Sequence, residues 1–196
     1  MTVYTRFYDA PNINRKEIIR YAGVKKPDDS VCALLDECLS EAEREISYSL
    51  CYSEYPIKIS KNEIDFGFAK VFSTDLAKNL TGCDSAIVFA ATIGHKFDRL
   101  LTKFSALSPS KAFLLQAIGA ERIEALCNTF NEEISKENLT VPRFSAGYGD
   151  LPLEFQRDIF LALDCSRKIG LSLNQSLLMS PSKSVTAIIG IKENEK

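Results

Sequence analysis

Apolar positions along this chain follow two periods. Behind the run Pro27-Asp28-Asp29-Ser30, residues Val31, Leu34, Leu35, Cys38, Leu39, Ala42 and Ile46 recur at helical spacing, which predicts a long amphipathic helix. Its other face carries Asp36, Glu37, Glu41, Glu43 and Glu45, the solvated side of such a helix. Asn14 and Glu17 have the spacing of a capping box and open a shorter helix through Tyr21 that stops at Gly23. Alternation then takes over. Tyr55, Ile57 and Ile59, followed by Ile64 and Phe66 after Lys61-Asn62, predict a β region. Ser73-Thr74-Asp75-Leu76 caps a short helix to Leu80. Residues 86–93 are apolar almost without interruption, as in a central strand buried on both faces, and Gly94 ends the run.

Two helices follow, over residues 96–104 and from Pro109 to about Ile134. The second turns Phe113, Leu114, Ala117, Ile118, Ala120, Ile123, Leu126, Cys127 and Phe130 inward. Residues 138–142 read as a loop, 153–168 as a helix stopped at Gly170, and 185–191 as a strand. Helices and strands mix without strict alternation and without repeats, linkers or low-complexity stretches. The pattern predicts an α+β fold with a largely antiparallel sheet. We expect one domain over 1–196, with a helical N-terminal part (1–50) and an α+β core (51–196).

Composition narrows the function classes. An apolar fraction of 45% with 12 Phe supplies a sizeable core. The 24 basic and 26 acidic residues leave a net charge of −2, which argues against nucleic acid as a partner. No apolar run reaches the roughly 18 residues of a membrane span. The start, Met1-Thr2-Val3-Tyr4-Thr5-Arg6, lacks the pattern of a secretory signal, so the cytoplasm is the expected compartment. Six cysteines are scattered and none forms C-x-x-C, so reduced, mostly buried thiols are expected and no metal site. His95 is the only histidine. Nothing matches a phosphate loop, a dinucleotide fingerprint or a serine nucleophile elbow, and no catalytic residue is assigned.

The densest chemistry lies in Arg143-Phe144-Ser145-Ala146-Gly147-Tyr148-Gly149-Asp150-Leu151-Pro152. Two glycines flank a tyrosine, an arginine precedes them, and Pro152 suits the first position of a helix. Read alone, this is a tight turn with a packed tyrosine or a place where backbone approaches a ligand. The spelling R-x-x-x-G-Y-x-x-x-P resembles the S-adenosylmethionine-binding motif in the activation domain of vitamin B12-dependent methionine synthase. The likeness extends through Leu153 and Gln156 and through Leu178-Met179-Ser180-Pro181-Ser182-Lys183-Ser184-Val185-Thr186-Ala187-Ile188-Ile189-Gly190, as in short, free-standing relatives of that domain. It runs more weakly through Ala91-Thr92-Ile93-Gly94 and Gln116-Ala117-Ile118-Gly119-Ala120-Glu121.

The resemblance implies a curved, largely antiparallel sheet flanked by helices. It also implies a reactivation subunit of a split enzyme, which presents S-adenosylmethionine for reductive methylation of cobalamin carried by a partner. That partner is a cobalamin-binding methionine synthase subunit or another corrinoid protein, served by flavodoxin or another reductant. Arg143 would take the ligand carboxylate as a bidentate pair. Ser145 and Ala146 would offer backbone groups, Gly147 close approach, and Tyr148 a ring face for the sulfonium. Glu124 aligns with a family glutamate near the ligand, and Glu121 is the alternative register. Asp150 and Glu154 sit at a helix start, where negative charge is favoured. Ser182, Lys183 and Ser184 line a cobalamin-facing groove or serve turn chemistry.

The chain also departs from the family. Ala146 stands where proline is common. The N-terminal aspartate of full-length domains has no match, and neither the tyrosine-pair strand nor the cysteine-rich tail of some relatives follows Ile191. The alternative reading is therefore a non-catalytic interaction subunit of a corrinoid methyltransferase that has lost S-adenosylmethionine binding.

Overall fold

The computed structural model describes residues 1–192; the last four residues of the tail discussed above lie outside them. In chain order the elements begin with β1 (Tyr4–Tyr8), α1 (Arg15–Tyr21), α2 (Asp29–Glu45) and β2 (Tyr48–Pro56). A small antiparallel sheet of β3 (Lys58–Ser60), β4 (Glu63–Asp65) and β5 (Lys70–Phe72) leads to α3 (Thr74–Asn79) and β6 (Ser85–Thr92). Next come α4 (His95–Leu107), α5 (Pro109–Glu137) and β7 (Leu139–Thr140). The chain continues with α6 (Phe155–Leu163), α7 (Cys165–Ile169), the hairpin strands β8 (Ser172–Leu173) and β9 (Met179–Ser180), and β10 (Ser184–Lys192).

The main sheet has the order β1-β2-β6-β10-β7 and every pairing is antiparallel. It curls as a half-barrel flanked by helices, so the fold class is α+β as the sequence predicts. β6 is central and buried on both faces. Its Ile87, Phe89 and Ala91 join a core with α1, α2, α4 and α5, whereas Ala86, Val88 and Ala90 join a second core with α3, α6 and α7. β10 divides the same way, with Ala187, Ile189 and Ile191 on the first face and Ile188 on the second. Period-two alternation thus feeds two cores at once. In the first core the Phe89 and Phe130 rings meet edge-on with centroids 5.1 Å apart.

Several boundaries differ from expectation. Residues 1–50 hold α1 and α2, but also β1 and the start of β2. The predicted helix over 153–168 is broken: Asp164 takes a left-handed conformation (φ 50°), which a short polar side chain tolerates, and Arg167 Nε donates to its carboxylate at 2.6 Å. The predicted loop over 138–142 contains β7. Half of the predicted capping box forms: the Asn14 side chain accepts from the Glu17 N–H at 3.2 Å, but the Asn14 N–H donates to Glu121 and the Glu17 carboxylate pairs with Arg20. Among the described residues no helix is long and apolar enough to cross a membrane. Cys32 is half-buried, the other five cysteines are buried, and none is in a disulfide.

Candidate functional site

Arg143 owes its direction to a bulge. Thr140 pairs with Ile191, and Phe144 pairs with Ile188 through two backbone hydrogen bonds of 2.9 and 2.8 Å. Three residues therefore separate the paired positions on one side and two on the other. One extra residue reverses the alternation. Thr140 lies on the α5 side, its hydroxyl 2.8 Å from Ser135 Oγ, so strict alternation would send Arg143 to the opposite face. With the bulge at Val141–Pro142, Phe144 drops into the second core and Arg143 reaches α5. Asn79 Nδ2 holds the bulge by donating to the Pro142 carbonyl at 3.0 Å.

On α5, Glu124, Asn128 and Asn131 share one stripe at four- and three-residue spacing. Arg143 Nη2 donates to Glu124 Oε2 and Nη1 donates to Asn128 Oδ1 at 2.8 Å. The Asn131 amide, with its nitrogen directed to the Cys127 carbonyl (3.2 Å), places its oxygen 2.9 Å from Arg143 Nη1. The guanidinium is half-buried, and it is held beside a carboxylate.

Beyond Arg143 the chain makes a compact turn. Tyr148 N–H donates to the Ser145 carbonyl (3.1 Å), Gly147 N–H to that of Leu151 (2.9 Å), and Leu151 N–H to that of Tyr148 (3.1 Å). Gly147 and Gly149 both have positive φ, and a Cβ on Gly149 would stand 2.5 Å from Asp75 Oδ2. Ala146 is buried and Ser145 half-buried, while Tyr148 is 69% exposed with its ring edge-on to Phe144.

Asp150 serves a different helix from the one expected. Its carboxylate accepts from Ser73 Oγ and from the N–H groups of Thr74 (2.8 Å) and Asp75 (3.1 Å), so it caps α3 and not the helix that follows it. Those donors, the Ser73 hydroxyl foremost, hold its pKa down at about 2.

A groove of about 680 Å3 runs between α5 and the segment before and within α1. Asn12, Asn14, Tyr21, Glu124, Asn128 and Glu132 are among its lining residues. Glu124 and Asn128 thus touch Arg143 on one side and the groove on the other. Residues 145–148 do not line it. Of the sequence-selected residues, the structure brings Arg143 and Glu124 together and sets Ser145, Ala146, Gly147 and Tyr148 in the adjoining turn. Glu121, the alternative to Glu124, is buried, paired with Arg122 and bonded to the Asn14 N–H at 3.0 Å. Ser182 donates through N–H and Oγ to Asp98, both at 2.7 Å. The Lys183 stem lies against Gly119, and burial pushes its ammonium below the usual lysine value. His95 Nε2 lies 3.0 Å from the Gly170 carbonyl.

Sequence reasoning missed Asn128, Asn131 and Arg122, the partner of Glu121. The available signal was the stripe Glu124, Asn128, Asn131, and a charged pair set among inward positions of a helix.

No family model and no curated protein matches the chain. Among solved structures, it is similar to a crystal structure of the MetH reactivation domain bound to AdoHcy, with a TM-score of 0.69 at 15% identity. The match covers 100% of this chain and 80% of that one. The fold is that of the MetH reactivation domain. Within the reactivation-domain fold, Arg143 belongs to a bulged edge segment, and the groove lies across α5 from it.

Proposed function

We propose that this chain binds S-adenosylmethionine and presents its methyl group to cobalamin held by a partner, as the reactivation subunit of a split, cytoplasmic methionine synthase. One observation supports this above the others: the bulge turns the Arg143 guanidinium onto the α5 stripe, where Glu124 and Asn128 open into a groove of small-ligand size. A zwitterionic amino acid end fits that pair, with its carboxylate on Arg143 and its ammonium on Glu124. The turn at 145–148 adjoins Arg143 outside the groove, and its backbone and exposed Tyr148 ring are what a nucleoside and sulfonium extending past Arg143 would meet. The neighbour with AdoHcy bound is consistent with this chemistry.

S-adenosylmethionine supplies the methyl group, and cobalamin on the partner, after one-electron reduction by flavodoxin or another reductant, accepts it. The task of this chain is positioning, which needs no protein base.

A second reading has its own support. Arg143 has acceptors of its own chain in Glu124 and Asn128, as expected of an interaction subunit for a corrinoid methyltransferase that kept the fold and lost S-adenosylmethionine binding. Titration calorimetry with S-adenosylmethionine separates the two. Saturable binding, weakened by Arg143→Ala about 10- to 150-fold as the carboxylate contact is lost, supports the first reading. No heat at millimolar ligand supports the second.

A further inference from the structure

The second wall of the groove is irregular chain, residues 9–14 leading into α1. Apolar burial does not hold it down: residues 9, 10 and 12–14 are exposed and Pro11 is half-buried. What holds it is Arg122, in the middle of α5 and 0% exposed. Its Nε donates to Glu121 Oε2 at 2.6 Å and its Nη2 to Glu121 Oε1 at 2.7 Å. Its remaining donors reach the arm, Nη1 to the Pro11 carbonyl at 2.7 Å and Nη2 to the Asn12 carbonyl at 2.8 Å. Glu121 Oε1 completes the clamp by accepting the Asn14 N–H at 3.0 Å. A buried ion pair adds little stability over apolar side chains of the same shape. What this one provides is direction, because a rigid fork fixes two carbonyls at once.

We propose that Arg122 is a positioning residue that docks residues 9–14 as the closing wall of the ligand groove, so that clamp and ligand are coupled. The proposal rests on reading the groove as the S-adenosylmethionine site. An arm docked only a tenth of the time lowers apparent affinity about tenfold. By linkage, bound ligand protects the arm to the same degree.

The test compares the intact chain with Arg122→Met/Glu121→Leu, which removes the pair without leaving a buried charge alone, as Arg122→Ala would. Thermal melting first verifies that the double variant folds. Hydrogen exchange then reads the amides of residues 9–14, and calorimetry with AdoHcy reads the groove. The expected result is a folded variant with faster exchange confined to the arm and AdoHcy affinity lowered about tenfold or more. AdoHcy should also slow arm exchange in the intact chain. Arm exchange unchanged in the variant overturns the clamp. A released arm with affinity unchanged overturns its role in the groove. If the intact chain does not bind AdoHcy, the functional reading fails and the coupling with it, while the exchange rates still score the clamp.

Discussion

Because Arg143 donates to Glu124, Asn128 and Asn131 of its own chain, a ligand carboxylate would compete for an occupied fork, and the ligand's ammonium would have to compensate Glu124 in the same step. On the proposed reading this exchange selects a zwitterion, since an anion alone would leave Glu124 uncompensated. Asp150 sets a pH dependence nearby. Its folded pKa, about 2, lies below the ordinary 3.8, so the unfolded chain binds the proton first. Its contribution is complete above about 3.8 and is lost as pH falls through about 2. Urea unfolding of the intact chain and Asp150→Ala should differ at pH 5, and that difference should shrink toward zero near pH 2. An equal difference at both pH values would contradict the cap.

At the scale of elements, the bulge absorbs one extra residue and so keeps the guanidinium on the α5 side. Deleting Pro142 restores even spacing between the pairs Thr140–Ile191 and Phe144–Ile188, and strict alternation then leaves Arg143, two positions after Thr140, still on the α5 side. A folded deletion variant should therefore keep the ligand binding that Arg143→Ala weakens; binding lost as fully as in Arg143→Ala would show that the guanidinium needs the bulge itself and not the alternation alone. This feature was not legible in the sequence, because a bulge is a mismatch between two strands and neither strand carries it alone. β6 was legible because both of its faces are covered, which writes a continuous apolar run. β1 was not: Arg6 and the exposed Phe7 blur the alternation of an edge strand. β8 and β9, two residues each, are shorter than any periodic window. Arg143 and Glu124 could be named from the motif and its resemblance. Asn128, Asn131 and Arg122 could not, since a polar residue on a helix looks the same whether it faces water or a distant segment.

In the whole molecule, two cores share one sheet, and Phe130 ties α5 to it through Phe89 and Tyr52, each ring 5.1 Å away. Phe130→Ala should cost about 3–5 kcal/mol of unfolding free energy, read as a lower denaturant midpoint with an unchanged slope. A loss under about 1 kcal/mol would show that the surrounding side chains collapse into the space. The order β1-β2-β6-β10-β7 carries one more consequence. β10 is an interior strand made of residues 184–192, and the bulged segment hangs from it through Ile188. A nascent chain whose residues 184–192 are still inside the ribosome has β6 open along one edge and nothing for Phe144 to pair with. The arginine therefore acquires its orientation only after translation has passed that strand, so under the proposed function incomplete translation products should be unable to take the methyl donor out of circulation.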